Sequence, residues 1–163
     1  MVTQRDLVGT WNLVSLEVRT TDDKPILAPQ FPGSTGLFLW GMSPRGLQIY
    51  TADGHFSAAM MHTKRPSLST KDVMDPSTDA NVLGTKQALL ATYLSSAGTF
   101  EVVDGKELVH HVKVHLFPDE IGGTQQMGFS LTERRLVTYK PTPPIAFLGG
   151  QTAVTHSTWE RAS

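Results

Sequence analysis

The chain has 163 residues, a formal net charge of −1, 39% hydrophobic residues and no cysteine. That length can bury a core as a single domain, 1–163, and the balanced charge, without a Lys/Arg block, points away from nucleic acid and membrane surfaces as partners. The missing cysteines rule out disulfides, thiolate metal sites and a cysteine nucleophile.

The opening "MVTQRDLVGTW" has no apolar signal-peptide core, and no apolar run approaches the ~20 residues of a membrane span. A cytoplasmic protein is the expectation. From there the chain reads as short strands: "TWNLVSLEVRT", "GLQIYTA", "HFSAAMMH", "GTFEVVD", "ELVHHVKVHLF", "TQQMGFSL", "RLVTYK" and "TAVTHSTWER" are rich in β-branched and aromatic residues. The Asp-Gly pairs in "TADGHF" and "VVDGKE" predict hairpins. One stretch, "STDANVLGTKQALLATYL", predicts a helix capped by Ser77, Thr78 or Asp79, with Val82, Leu83, Leu89, Leu90, Tyr93 and Leu94 on its buried face. Two stretches, 24–46 and 62–79, lack a period. The first carries Phe38, Leu39 and Trp40, which suits a loop tucked on the core, a cavity lid or a homodimer contact. Many antiparallel strands and one helix predict an all-β barrel or sandwich.

"LVGTWNLVSLE", "SPRGLQIYTADGHFSA", "HHVKVHLFP" and a closing "TWER", in this order and at these spacings, resemble the lipocalin-like domain family of small bacterial and fungal proteins. The resemblance spans nearly the whole chain. It implies a closed antiparallel β-barrel of eight to ten strands with one flanking α-helix and room for one small ligand. It also implies that Trp11, after Gly9, plugs the closed end beneath Arg161, a structural pair excluded from the site. Members often carry Arg where Met127 and Gly128 stand, and Tyr where Ser96 and Phe100 stand, so the cavity here is expected to be more apolar.

Three of the six histidines lie at 110, 111 and 115. Strand alternation puts His110 with Leu108, Val112, Val114 and Leu116, and puts His111 and His115 on the other face with Lys113. Lysine marks the solvent side, so His110 is expected inside. His111 and His115 would lie about 13 Å apart along a regular strand, too far to share one ion, and no metal site is predicted. An inward His110 would be neutral, and thus either a general base or a hydrogen-bonded core residue. On the first strand an inward Trp11 carries Leu13, Ser15 and Glu17 inward, making Glu17 a second candidate base, whereas hydrophobicity alone selects Val14, Leu16 and Val18. Tyr50, Ser57, Tyr93 and Gln125 are candidate polar ligand contacts. Phe56, Met60, Met127 and Phe129 are candidate apolar walls.

No nucleophile elbow, phosphate loop or dinucleotide fingerprint is present in the sequence, so no cofactor is expected. The resemblance permits two functions: a cofactor-independent cyclase or isomerase of polyketide-type substrates, including α-pyrone-forming lactonisation, or a carrier of a hydrophobic small molecule. In the first, His110 and Glu17 act as acid–base groups. In the second, the same cavity holds its ligand unchanged.

Overall fold

The computed structural model describes residues 1–25, 44–65, 67, 69–74, 76, 80–142 and 152–162. Eight antiparallel strands close into one barrel in sequence order: β1 (Gly9–Thr20), β2 (Arg45–Tyr50), β3 (His55–Met61), β4 (Tyr93–Val103), β5 (Glu107–His115), β6 (Thr124–Leu131), β7 (Arg135–Thr142) and β8 (Ala153–Arg161). Short helix α1 (Gln4–Leu7) precedes β1, and α2 (Thr70–Met74) and α3 (Ala80–Ala91) lie between β3 and β4. The Asp-Gly signals become tight turns. Gly54 between β2 and β3 has φ 84°, and Asp104 and Gly105 between β4 and β5 have φ 50° and 67°. Positive φ at two successive residues suits the tight turn that Lys106 N–H closes on the Val103 carbonyl.

The helix differs from its sequence reading. It ends at Ala91, and Tyr93 and Leu94 enter β4 instead. Leu83 and Leu90, seven residues apart, share a face turned to solvent. The proposed caps 77–79, and Phe38, Leu39 and Trp40 of the 24–46 loop, lie outside the described residues.

One end of the barrel is filled solid. Leu7, Trp11, Leu108 and Leu136 are fully buried, packed with Tyr50, Phe100 and Trp159, and with the partly buried Phe129. The Trp11 indole N–H donates to the Leu7 carbonyl at 2.9 Å, and the Arg161 guanidinium lies 4.2 Å above the ring centroid. Arg161 also donates to the Val8 and Asp6 carbonyls, each at 2.7 Å. Gly9, at φ 139°, leaves the space this guanidinium occupies: a Cβ there would sit 2.8 Å from Nη1. Sequence thus becomes packing here through a cation stacked on an indole, both tied by hydrogen bonds to backbone carbonyls.

Two bulges break the period-2 pattern. Between β1 and β8 the register steps from Leu13↔Trp159 to Ser15↔Thr158, leaving Val14 as the extra residue. Between β4 and β5 it steps from Ala97↔Val114 to Gly98↔Val112, leaving Lys113 extra. An extra residue reverses the facing of everything beyond it. Gly98 permits the second bulge, because a Cβ there would lie 1.9 Å from the His111 carbonyl oxygen. Both bulges lie on the way to the open end, where they decide which side chains enter the lumen.

Candidate functional site

Above the plug lies a cavity of about 350 Å³. Phe56, Ala58, Met60, Met127 and Trp159 supply apolar wall, while Gln48, Ser96, His110, Gln125, Thr138 and Ser157 supply polar groups. The size suits one small ligand. Toward the mouth the lining passes to Leu16, His115, Phe117, Glu120, Lys140 and Thr155.

His110 is 4% exposed, its ring stacked on Phe56 with centroids 3.8 Å apart. Its Nε2 lies 3.0 Å from the Tyr50 hydroxyl, which is itself buried and accepts a hydrogen bond from the Gln48 amide. A phenol has one proton. With Gln48 donating to that oxygen, the arrangement that leaves no phenol proton unpaired has Tyr50 donating to Nε2 and the imidazole proton on Nδ1. Burial, with Lys140 and His111 adding positive charge nearby, pushes the His110 pKa down to about 3, and burial also raises that of Tyr50. The pair is therefore neutral at physiological pH. Its Nδ1–H is the group left for a ligand, and it donates.

The other candidates separate. Phe56, Met60, Gln125 and Met127 line the same cavity as His110. Tyr50 does not line it but supports His110 from below. Phe129 packs against the closed-end core. Ser57 is exposed on the outer face of β3. Tyr93 lies under α3, where Arg65 sits 5.4 Å from its ring centroid. Glu17 is a correction: it is exposed and paired with Arg19 at 2.8 Å, outside the barrel. The Val14 bulge is the cause. Trp11 and Leu13 face in before it, Leu16 and the buried Val18 face in after it, and Ser15 and Glu17 are displaced from the lumen. The phase set by Trp11 holds as far as Leu13, and the opposite phase holds at Leu16 and Val18 but not at the exposed Val14.

The β5 bulge does the same. His111 faces out and meets Glu101 at 2.9 Å, but beyond Lys113 the phase reverses. Val114 is 60% exposed, against the expectation that it faces in, and His115 reaches the mouth.

Several polar groups of the cavity were missed, Gln48, Ser96, Trp159 and Lys140 among them. Gln48 is 4% exposed between the exposed Leu47 and Ile49, so hydrophobic alternation pointed the wrong way on β2. The hydrogen bond to Tyr50 outweighs it. Ser96 and Trp159 line the cavity, and among the described residues Ser96 Oγ and the Trp159 indole N–H have no hydrogen-bond partner. Lys140 shares its facing with the buried Leu136 and Thr138 and so enters the lumen at its mouth. The alternation within "RLVTYK" was the signal available for it.

A family model described as Lipocalin-like domain matches residues 8–162. The chain belongs to the lipocalin-like domain family. The matched span holds all eight strands of the barrel and every residue of the cavity. Among solved structures, the lipocalin-like chain is similar to a redesigned β-barrel, with 10% identity over 99% of this chain and 96% of that one and a TM-score of 0.41. No curated protein matches the sequence. As a lipocalin-like barrel the chain has a ligand-binding cavity. The chemistry of its occupant has to come from the lining.

Proposed function

We propose that this lipocalin-like protein binds one small, mainly apolar molecule through an oxygen acceptor set against His110 Nδ1–H. The Gln48–Tyr50–His110 chain carries this reading. It fixes one tautomer inside an apolar cavity, where a donor already held in place loses little freedom on binding. The same chain argues against His110 as a general base, because a pKa near 3 makes a weak base and Nε2 is engaged.

Titration with 2-acetylnaphthalene and 2-ethylnaphthalene, followed by tryptophan fluorescence, tests it. The ketone is expected to bind about 5- to 10-fold more tightly, the worth of one neutral hydrogen bond, and His110→Leu to erase the difference. Equal binding of both compounds, or saturation by neither, would overturn the proposal.

A second reading, a cofactor-independent cyclase or isomerase of polyketide-type substrates, draws on the mouth. His115 and Glu120 line it and are less buried than His110, so proton-exchanging groups face a pre-set donor that could hold an enolate oxygen. Glu17 has no place in it. Conversion of a linear β,δ-diketo thioester to its α-pyrone, slowed in Glu120→Gln and His115→Ala, would support lactonisation. Binding of the thioester without conversion leaves the carrier.

A further inference from the structure

The carrier reading leaves one group in the lumen without a role. Lys140 is one of seven lysines. Lys64, Lys71, Lys106 and Lys113 are exposed, and Lys24 is exposed and paired with Asp22 at 2.6 Å. Lys140 instead lines the cavity, beside Thr155 on β8, in a lining that also holds Gln125 and Glu120. Among the described residues no carboxylate comes within ion-pair distance of its Nζ. Glu120, which would be the natural counter-ion, accepts from Gln125 at 3.1 Å instead.

A cation held in an apolar cavity without a partner is costly, and an amine relieves the cost by giving up its proton. Burial accordingly lowers the Lys140 pKa, opposed by the charge of Glu120. A lowered pKa enlarges the neutral fraction of the amine, and the neutral form in a partly dry pocket is the one in which lysine attacks carbonyl carbon.

We propose that Lys140 captures aldehydes or ketones of the cavity's ligand class as an imine, a site that rests on the ligand-binding reading above. The nitrogen lone pair forms a C–N bond to the carbonyl carbon. The two protons leaving nitrogen pass to the carbonyl oxygen, which departs as water, and a C=N bond remains. The step is reversible and uses no other reactant. The apolar wall of Phe56, Met60 and Met127 would hold the hydrocarbon part, and the mouth opens to the water released.

Incubation of the whole protein with trans-cinnamaldehyde and cyanoborohydride reduces any imine to a stable secondary amine, located by intact mass and peptide mapping. Cinnamyl alcohol, which cannot form an imine, reports occupancy of the cavity independently through tryptophan fluorescence. Labelling at Lys140 is expected about tenfold faster than at any other lysine, since burial lowers its amine pKa and so enlarges the free-amine fraction near neutral pH. Excess cinnamyl alcohol should suppress it at Lys140 and leave the surface lysines unchanged. Lys140→Met should abolish the fast phase. If the alcohol binds and the aldehyde labels all lysines alike, the imine proposal is overturned and the binding reading stands. If neither compound binds, both fall.

Discussion

The two ends of this barrel are built from the same strands by opposite rules. At the closed end large side chains fill the lumen and the sealing pair is hydrogen-bonded: Trp11 on the Leu7 carbonyl, Arg161 on Val8 and Asp6. Above it the lumen stays open, Ser96 Oγ and Trp159 N–H are unpaired, and Lys140 has no counter-ion among the described residues. The closed end is packed like a core, and the open end keeps buried polar groups beside a cavity, a trade of stability for function. His110 and Tyr50 stand at the boundary, tied to the plug on one side and facing the cavity on the other.

The contrast can be broken first at its strongest point. Trp11→Ala removes a fully buried indole from the plug and is expected to cost about 3–5 kcal/mol in urea unfolding. A loss under 1 kcal/mol would mean that the plug is not what holds the barrel. Gly98→Ala forces a methyl group against the β5 bulge and should cost about 3 kcal/mol, the upper end for overpacking. Because the bulge sets the facing of His115, the variant should also change the exposure of that ring, measured by its rate of modification with diethylpyrocarbonate. Wild-type exposure and stability in the variant would mean that the bulge is not fixed.

A smaller effect comes from the boundary. The folded-state pKa of His110 is depressed to about 3 from an ordinary 6.5, so below pH 6.5 the unfolded chain takes up a proton that the native state refuses. Stability is therefore unaffected above pH 6.5 and falls as pH drops from there toward 3, by about 2 kcal/mol at pH 5. His156, also lowered by burial, acts in the same direction. His110→Gln separates the two: the drop between pH 7.5 and 5 should shrink by most of its size. An unchanged drop would show that His110 is not held neutral.

The smallest effect is expected inside the cavity. Ser96→Ala deletes a hydroxyl that has no partner, so stability should stay level or rise by up to about 1 kcal/mol. A clear loss would mean that Ser96 belongs to the closed-end kind of packing after all.

The positions of the strands were legible before the structure. β6 falls on "TQQMGFSL" and the hairpin turns on the two Asp-Gly pairs, because alternation and positive-φ residues are local signals. Facing was legible only as far as alternation ran unbroken. His110, between Leu108 and Val112, lies ahead of the Lys113 bulge and faces in. Glu17, beyond the Val14 bulge, does not. Gln48 eluded the pattern because its reason for burial, the Tyr50 hydroxyl, is two residues away on one face and acts through a hydrogen bond.

By itself the sequence determined that the chain forms short antiparallel strands, where they turn, and which tryptophan and arginine seal one end. The strands and turns follow from backbone preference, and the Trp11–Arg161 seal follows from the resemblance to the lipocalin-like family. Only the tertiary structure decided which polar groups share the lumen. A bulge is a mismatch between two strands, set by the register of the neighbour and by a backbone approach that Gly98 alone allows, and one unpaired residue exchanges inside for outside. Glu17 left the site, and His115 entered it, for that one reason.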